Sequence, residues 1–290
     1  MPITVDTDDT MGYETNSVHK KLFNLIATPI LNNAPASLHH LIKRSDKSAN
    51  HVLENRTTHE ALETLYACGH SHPDGNLLQS IFRSIWFNID NSKAVRNRLK
   101  LVKREIMTLI KRINNQGRKV RLLSIASGSA RSVIEATKQS GLTGNSIELS
   151  FLDKNPNAID YSKRLVTEYT LPYHCRWFID IAQNFPNYFS VSDEPNVIEM
   201  VGLLDYFSII KTLDLLKIIY ANLATGGYLV TANISDNRER MFITNIVGWQ
   251  MDYKSADELL DLAIKAGFKS DKISVMYEPL KIHCVLVAQK

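Results

Sequence analysis

Val120-Arg121-Leu122-Leu123-Ser124-Ile125 is a short apolar run that breaks into Ala126-Ser127-Gly128-Ser129-Ala130-Arg131, and Asp153 closes the next apolar run. Small residues between a buried strand and a helix let a ligand approach main-chain amides at the helix N-terminus. A carboxylate at the tip of the neighbouring strand can accept hydrogen bonds from both hydroxyls of a ribose. Together these residues ask for a nucleoside. The turn holds one glycine, whereas a dinucleotide site uses three to wrap a pyrophosphate, so NAD and FAD are disfavoured. No Gly-Lys-Ser/Thr follows the strand, which excludes a P-loop. A ligand with ribose and adenine but no phosphate demands less. Asp153 can also cap the helix that begins near Pro156, a common use of a lone acid after a strand.

The elements that must position these residues are legible from periodicity. Residues 1–17 are polar and acidic and are expected to form a mobile arm. From 18 to 115 the chain reads helical. Thr57 or Thr58 caps a helix through Leu62, Leu65 and Tyr66, and a second runs from Leu77 to Phe87. A long third carries Val95, Leu99, Val102, Ile106, Leu109 and Ile113 on one face. After Gly117 strands and helices alternate. Strands are expected at Val120–Ile125, Ser146–Leu152, Cys175–Ile179, Asn196–Val201, Tyr228–Ile234, Lys272–Tyr277 and Ile282–Ala288. Asn155-Pro156 opens a helix, and Ser255 with Glu258 forms a capping box. The last two strands are joined at Glu278-Pro279-Leu280-Lys281 and pair antiparallel. The fold class is therefore α/β: a doubly wound, mostly parallel, seven-stranded sheet with a reversed last strand, preceded by an α-helical N-terminal region.

Composition sets the boundaries. Of 290 residues 44% are hydrophobic, enough for one large domain with an appendage. The net charge of +4, from 34 basic and 30 acidic residues, does not call for a nucleic-acid partner. Cys68, Cys175 and Cys284 are far apart and odd in number, which suits a reducing, cytoplasmic setting. The acidic N-terminus is not a signal peptide, and Leu22 to Leu31 is too short to span a bilayer. A monomer or a homodimer is expected.

This order of elements, over roughly residues 93–290, resembles the class I S-adenosylmethionine-dependent methyltransferases. The resemblance implies an S-adenosylmethionine-binding catalytic domain over 118–290 and a helical cap over 18–117. It implies that Ser127, Gly128 and Ala130 line the methionine part of the cofactor, with Ser129 and Arg131 in the same turn. Asp153 would hold the ribose hydroxyls, with Lys154 beside the adenine. Asp180, followed by Ile181, would accept from the adenine amino group. Met200, Gly202 and Leu203 would border the transferred methyl. Ser127 and Ala130 depart from the usual Gly-x-Gly-x-Gly turn. A narrower resemblance rests on Ala94-Val95-Arg96-Asn97-Arg98-Leu99, Gly202-Leu203-Leu204-Asp205-Tyr206-Phe207, and Met241 through Trp249 to Tyr253. It is to a bacterial group of small methyltransferases associated with 3-hydroxy-fatty-acid methyl ester synthesis.

Further residues complete the expected site. Arg98 can pair with the cofactor carboxylate or be a solvated charge on a basic helix. Arg131 places a cation against a helix dipole, which a cofactor carboxylate or Glu135 would offset. A carboxylate acceptor needs no base, being ionised at pH 7. A hydroxyl acceptor does, and His283 and Asp205 are the candidates, with Tyr206 beside them. Trp249 and Tyr253, four apart, can share a helix face and wall an acceptor pocket. His70 and His72 can sit at a pocket rim, and Arg238 can meet an acidic acceptor. Cys68, His70, His72 and Asp74 lie within one loop, but zinc sites use two separated ligand pairs, so no metal is expected. The Asn/Asp-Pro-Pro-Tyr turn of base methyltransferases and a Pro-Cys nucleophile are absent. The expected acceptor is a small or lipid-like molecule, possibly a hydroxy fatty acid. An RNA- or protein-directed enzyme would need the basic helix Lys93 to Arg112 exposed. A silent cofactor-binding module would lack an acceptor cavity.

Overall fold

The computed structural model describes residues 3–33, 35, 47–67 and 87–290. The expected helix at Leu77 to Phe87 and the loop with His70 and His72 lie largely or wholly outside these residues. Eight strands form one sheet: β1 (Thr4–Val5), β2 (Val120–Ile125), β3 (Ile147–Asp153), β4 (His174–Ile179), β5 (Val197–Val201), β6 (Tyr228–Ile234), β7 (Ile273–Tyr277) and β8 (His283–Gln289). Their spatial order is β1-β7-β8-β6-β5-β2-β3-β4. β8 runs antiparallel to β6 and β7, and every other pairing is parallel.

The expected mostly parallel sheet with a reversed last strand is present, with one strand more than the seven expected. The extra strand comes from the expected mobile arm. Thr4 and Val5 pair with Met276 and Tyr277, and Glu14 then binds Arg96 and Asn97 on the long helix. Two residues are too few to show alternation, and the segment's acids read as solvated until their basic partners are in place.

Nine α-helices lie among the described residues: α1 (Val18–Asn32), α2 (Lys47–Glu54), α3 (His59–Tyr66), α4 (Asp90–Asn115), α5 (Arg131–Ser140), α6 (Pro156–Glu168), α7 (Ile209–Asn222), α8 (Arg240–Asn245) and α9 (Ala256–Ala266). The local signals act as read. Thr58 Oγ1 accepts from Glu60 N, Asn155 caps α6 with proline in its first turn, and the Ser255–Glu258 capping box opens α9. On one sheet face α4, α5 and α6 bury Leu101, Ile106, Val133 and Ile159 against β2 and β3. On the other, α7 and α9 bury Leu215, Leu216 and Leu259. α4 therefore belongs to the layer that covers the sheet, although it precedes the first long strand. A third cluster joins the N-terminal helices to α8, with Val52, Leu53, Ala61 and Leu65 packed on Phe242, Ile243 and Val247. This apolar joint seats a cap over the carboxyl ends of the parallel strands.

Candidate active site

The turn after β2 is built from unusual backbone. Ala126, Gly128 and Ala130 have φ of +50°, +53° and +55°. Alanine in the left-handed region costs on the order of 1 kcal/mol and persists where the surroundings enforce it, which is frequent at ligand sites. Here Ser127 N donates to Leu152 O on the neighbouring strand, and Ala130 N donates to Ser127 O. Asp153, at the tip of β3 and 8% exposed, accepts from Gly128 N at 2.8 Å and from Asn155 N at 2.8 Å. The carboxylate thus ties the turn to the start of α6.

A cavity of about 830 Å³ opens from this turn beneath the cap. That volume is in the range of roughly 300–1,000 Å³ for small-molecule sites. One half is lined by Ala126, Gly128, Asp153, Lys154, Asp180 and Ile181. The other is an apolar chamber whose walls include Ile89, Val95, Ile243, Val247, Trp249 and Met251. Gly202, Leu203, Asp205, Tyr206, Arg98 and His283 lie on the wall between and around them.

The buried polar groups are held from several elements. Arg98, on α4 and 3% exposed, has Nη1 3.4 Å from Asp205 Oδ2, and its Nε has no hydrogen-bond partner. Asp205 Oδ1 accepts from Ile234 N at 2.8 Å, and burial raises this carboxyl. Lys254, 2% exposed, donates from Nζ to Leu204 O at 2.8 Å and so fixes the short 3-10 turn that carries Asp205 and Tyr206. His283 is 2% exposed and neither ring nitrogen has a partner. Burial and the Arg98 cation hold it well below the ordinary histidine range, so it is neutral. Glu278 fixes its position by accepting from Leu280, Ile282 and His283 main-chain N–H groups and from Asn97 Nδ2. Trp249 Nε1 donates to the Tyr206 hydroxyl at 2.8 Å, which closes one side of the chamber.

The structure thus brings Arg98, Gly128, Asp153, Lys154, Asp180, Ile181, Gly202, Leu203, Asp205, Tyr206, Trp249 and His283 to one cavity. Asp180 already accepts from Ile181 N, Asn184 Nδ2 and the Tyr188 hydroxyl, which lowers its carboxyl. The other expected residues stand differently. Ser127, Ser129 and Ala130 shape the turn without lining the cavity, although Ser127 Oγ is buried and unpartnered. Met200 is fully buried in the core on the α7–α9 face, and strand alternation gives its place to Val201. Arg131 is held by Glu63 of α3 and by Glu135, so protein carboxylates offset its clash with the helix dipole. Trp249 and Tyr253 do not share a helix. α8 ends at Asn245, ahead of Gly248 at φ +71°, and Tyr253 lies beneath the Arg240 guanidinium 4.5 Å away. Arg238 is exposed, and its carbonyl accepts from Asn32.

Two buried groups escaped the sequence reading. Glu199, in the middle of β5 and 4% exposed, accepts from Ser124 and Ser132, and burial raises it to about 7. Its signal was an acid inside an otherwise apolar strand. His59, at the start of α3, lines the cavity beside Gly128. It gave no signal, because nothing in its neighbourhood marks a residue so far upstream as facing the turn after β2.

Comparison with known proteins follows this geometry. A possible exported protein from Bordetella parapertussis superimposes with a TM-score of 0.67 at 13% identity, covering 95% of this chain and 99% of that one. Magnesium protoporphyrin IX methyltransferase from Synechocystis, crystallised with S-adenosylhomocysteine, gives 0.55 at 7% identity, covering 83% and 99%. The carbon methyltransferase CurJ gives 0.54 at 16% identity, covering 95% and 72%. These likenesses show the fold. A search of curated proteins finds no match. Residues 74–290, well over half of the chain, match the model of the family described as "Putative methyltransferase", and the chain belongs to that methyltransferase family.

Proposed function

We propose that the cavity binds S-adenosylmethionine and that the protein transfers its methyl group to a small, largely apolar acceptor. The observation that carries this is a single cavity joining the turn after β2 and Asp153 to an apolar chamber under the cap. The residues present fit the cofactor. An acceptor-only carboxylate stands at the tip of β3, and Arg98, which lines the cavity, has a buried Nε without a partner. Asp153 would accept from the ribose hydroxyls, Lys154 and Ile181 would flank the adenine with Asp180, and Arg98 would pair with the cofactor carboxylate. When bound, the cofactor supplies an electrophilic methyl on a sulfonium. Gly202, Leu203 and Val201 would border that methyl.

The protein's own task is then to orient the acceptor in line and to exclude water. The cap and the chamber walls do the second. For a hydroxyl acceptor, neutral His283 is the group that can take the proton. Asp205, tied to Arg98 and Ile234 N, holds both the cation and the turn with Tyr206. Trp249 and Tyr206 wall the chamber. A carboxylate acceptor needs no base, and hydroxy fatty acids offer both groups on an apolar chain. The cytoplasm, where free Cys175 and Cys284 stay reduced, is the setting this reading expects. An RNA-directed enzyme is less well supported. Lys93, Arg96 and Arg98 are buried, and Lys103 and Arg104 are paired with acids, so the exposed basic residues of α4 are confined to Lys111 and Arg112 near its end. No helix among the described residues is long and apolar enough to cross a membrane.

Thermal unfolding with S-adenosylmethionine, S-adenosylhomocysteine, NAD and NADP tests the cofactor. At a hundredfold excess over Kd a ligand that binds only the folded state adds about 2.7 kcal/mol, roughly 4 °C in Tm for a chain of this size. The two adenosyl ligands should give this shift and Asp153→Ala should lose it. A shift with NAD alone, or none, overturns the proposal. A positive result leads to an acceptor screen that begins with hydroxy fatty acids.

A further inference from the structure

His59 has no part in the scheme above, yet it stands over the turn that would hold the cofactor. Thr58 caps α3 and makes His59 its first residue. A Cβ on Gly128 would lie 3.4 Å from the Cβ of His59, so the imidazole base rests on the glycine backbone. The residue is 6% exposed and lines the cavity with Gly128 and Asp153. Its ring packs on Tyr161 of α6 at 5.1 Å between centroids. Nδ1 is buried with no hydrogen-bond partner. A buried imidazole nitrogen left unpaired is unfavourable, and a ligand polar atom would relieve it. Burial keeps His59 below the ordinary histidine range, although Glu60, Glu63 and Asp153 pull the other way. The neutral ring offers one donor and one acceptor. Its seat is fixed four residues further along α3, where Glu63 accepts from Arg131 Nε at 3.0 Å and from the Tyr161 hydroxyl at 2.9 Å.

We propose that His59 is a cofactor contact carried by the cap: its imidazole hydrogen-bonds a ribose hydroxyl held by Asp153, and α3 thereby forms a lid over the nucleoside. The carboxylate of Asp153 can only accept, so the hydroxyl donates its hydrogen bond there, and the imidazole N–H donates to the hydroxyl oxygen. The lid rests on the adenosyl-cofactor reading. It adds that the nucleoside exchanges only when α3 shifts.

Titration calorimetry of the full chain with S-adenosylhomocysteine tests it, with wild type, His59→Leu and His59→Asn compared. Loss of the hydrogen bond should weaken binding roughly tenfold in the Leu variant. Asn, which can place a polar atom near the position of Nδ1, should recover most of it. Amide hydrogen exchange of wild-type α3 should slow when S-adenosylhomocysteine is added. Both variants binding within twofold of wild type, or α3 exchange unchanged by ligand, overturns the lid while the cofactor reading stands. If His59→Leu does not fold, the Asn variant and wild-type exchange decide. If wild type binds no adenosyl ligand, both proposals fall.

Discussion

At the scale of single residues, the fold buries ionisable groups where solvent cannot help them. Glu199 is the clearest case. Its carboxyl is raised by burial to about 7 from an ordinary 4.5, against the opposing pull of Ser124, Ser132 and Arg98. Folded, the residue keeps its proton to about pH 7, whereas the unfolded chain releases it near 4.5. The unfolded state therefore binds fewer protons across this window, and stability falls as pH rises through it, then levels off. The full effect is on the order of 3 kcal/mol at most. Glu199→Gln keeps an acceptor and a donor for the two serines and removes the titration. Urea unfolding should find the variant equal to wild type near pH 5 and more stable at pH 8. A difference independent of pH would contradict this account. Asp153, by contrast, stood out in the sequence as an acid at a strand tip beside a small-residue turn, and the structure places it on Gly128 N and Asn155 N.

At the scale of elements, the short turn Leu204–Tyr206 shows how much of the site depends on neighbours. Its own bonds, Tyr206 N to Leu203 O and Phe207 N to Leu204 O, close it, but its place is held from elsewhere. Lys254, distant in sequence, reaches it with a buried ammonium that donates to Leu204 O and Asp252 O, and burial lowers the lysine. Lys254→Met should remove a donor from two carbonyls, leaving Leu204 O with the Phe207 N–H alone, and cost roughly 1–2 kcal/mol, with Tm lower by a few degrees in calorimetry. An unchanged Tm would mean the turn holds itself. Helix caps at Asn155 and Ser255 were readable because capping is local chemistry over three or four residues. The helix expected to place Trp249 and Tyr253 on one face was not formed. A spacing of four describes a helix only if the backbone between is helical, and residues 249–253 are not, since α8 stops at Asn245 and Gly248 at φ +71° turns the chain ahead of Trp249.

At the scale of the whole molecule, cap and sheet meet at an apolar joint and through polar contacts, among them a clasp at Glu63. Glu63 reaches from α3 to Arg131 at the start of α5 and to Tyr161 on α6, so the clasp ties the helix that carries His59 to the helices that follow β2 and β3. Glu63→Gln weakens it without disturbing the joint. Stopped-flow binding of S-adenosylhomocysteine should show association and dissociation both faster by several-fold, with Kd much less changed, as expected of a gate. A slower association would argue that the clasp shapes the site instead.

The sequence by itself determined seven of the strands and their succession along the chain, the reversed last strand, and the turn–acid pair of Gly128 and Asp153. These follow from periodicity, capping and turn chemistry, which act over a few residues. Only the tertiary structure decided which side chains share the cavity. It gave Val201 a place that Met200 was expected to hold, turned Arg131 to Glu63, and drew His59 onto Gly128. It also added β1 from a segment that read as a solvated arm. The reason is physical: burial, ion pairing and cavity lining depend on packing between segments far apart in the chain, and local pattern carries no record of which segments will meet.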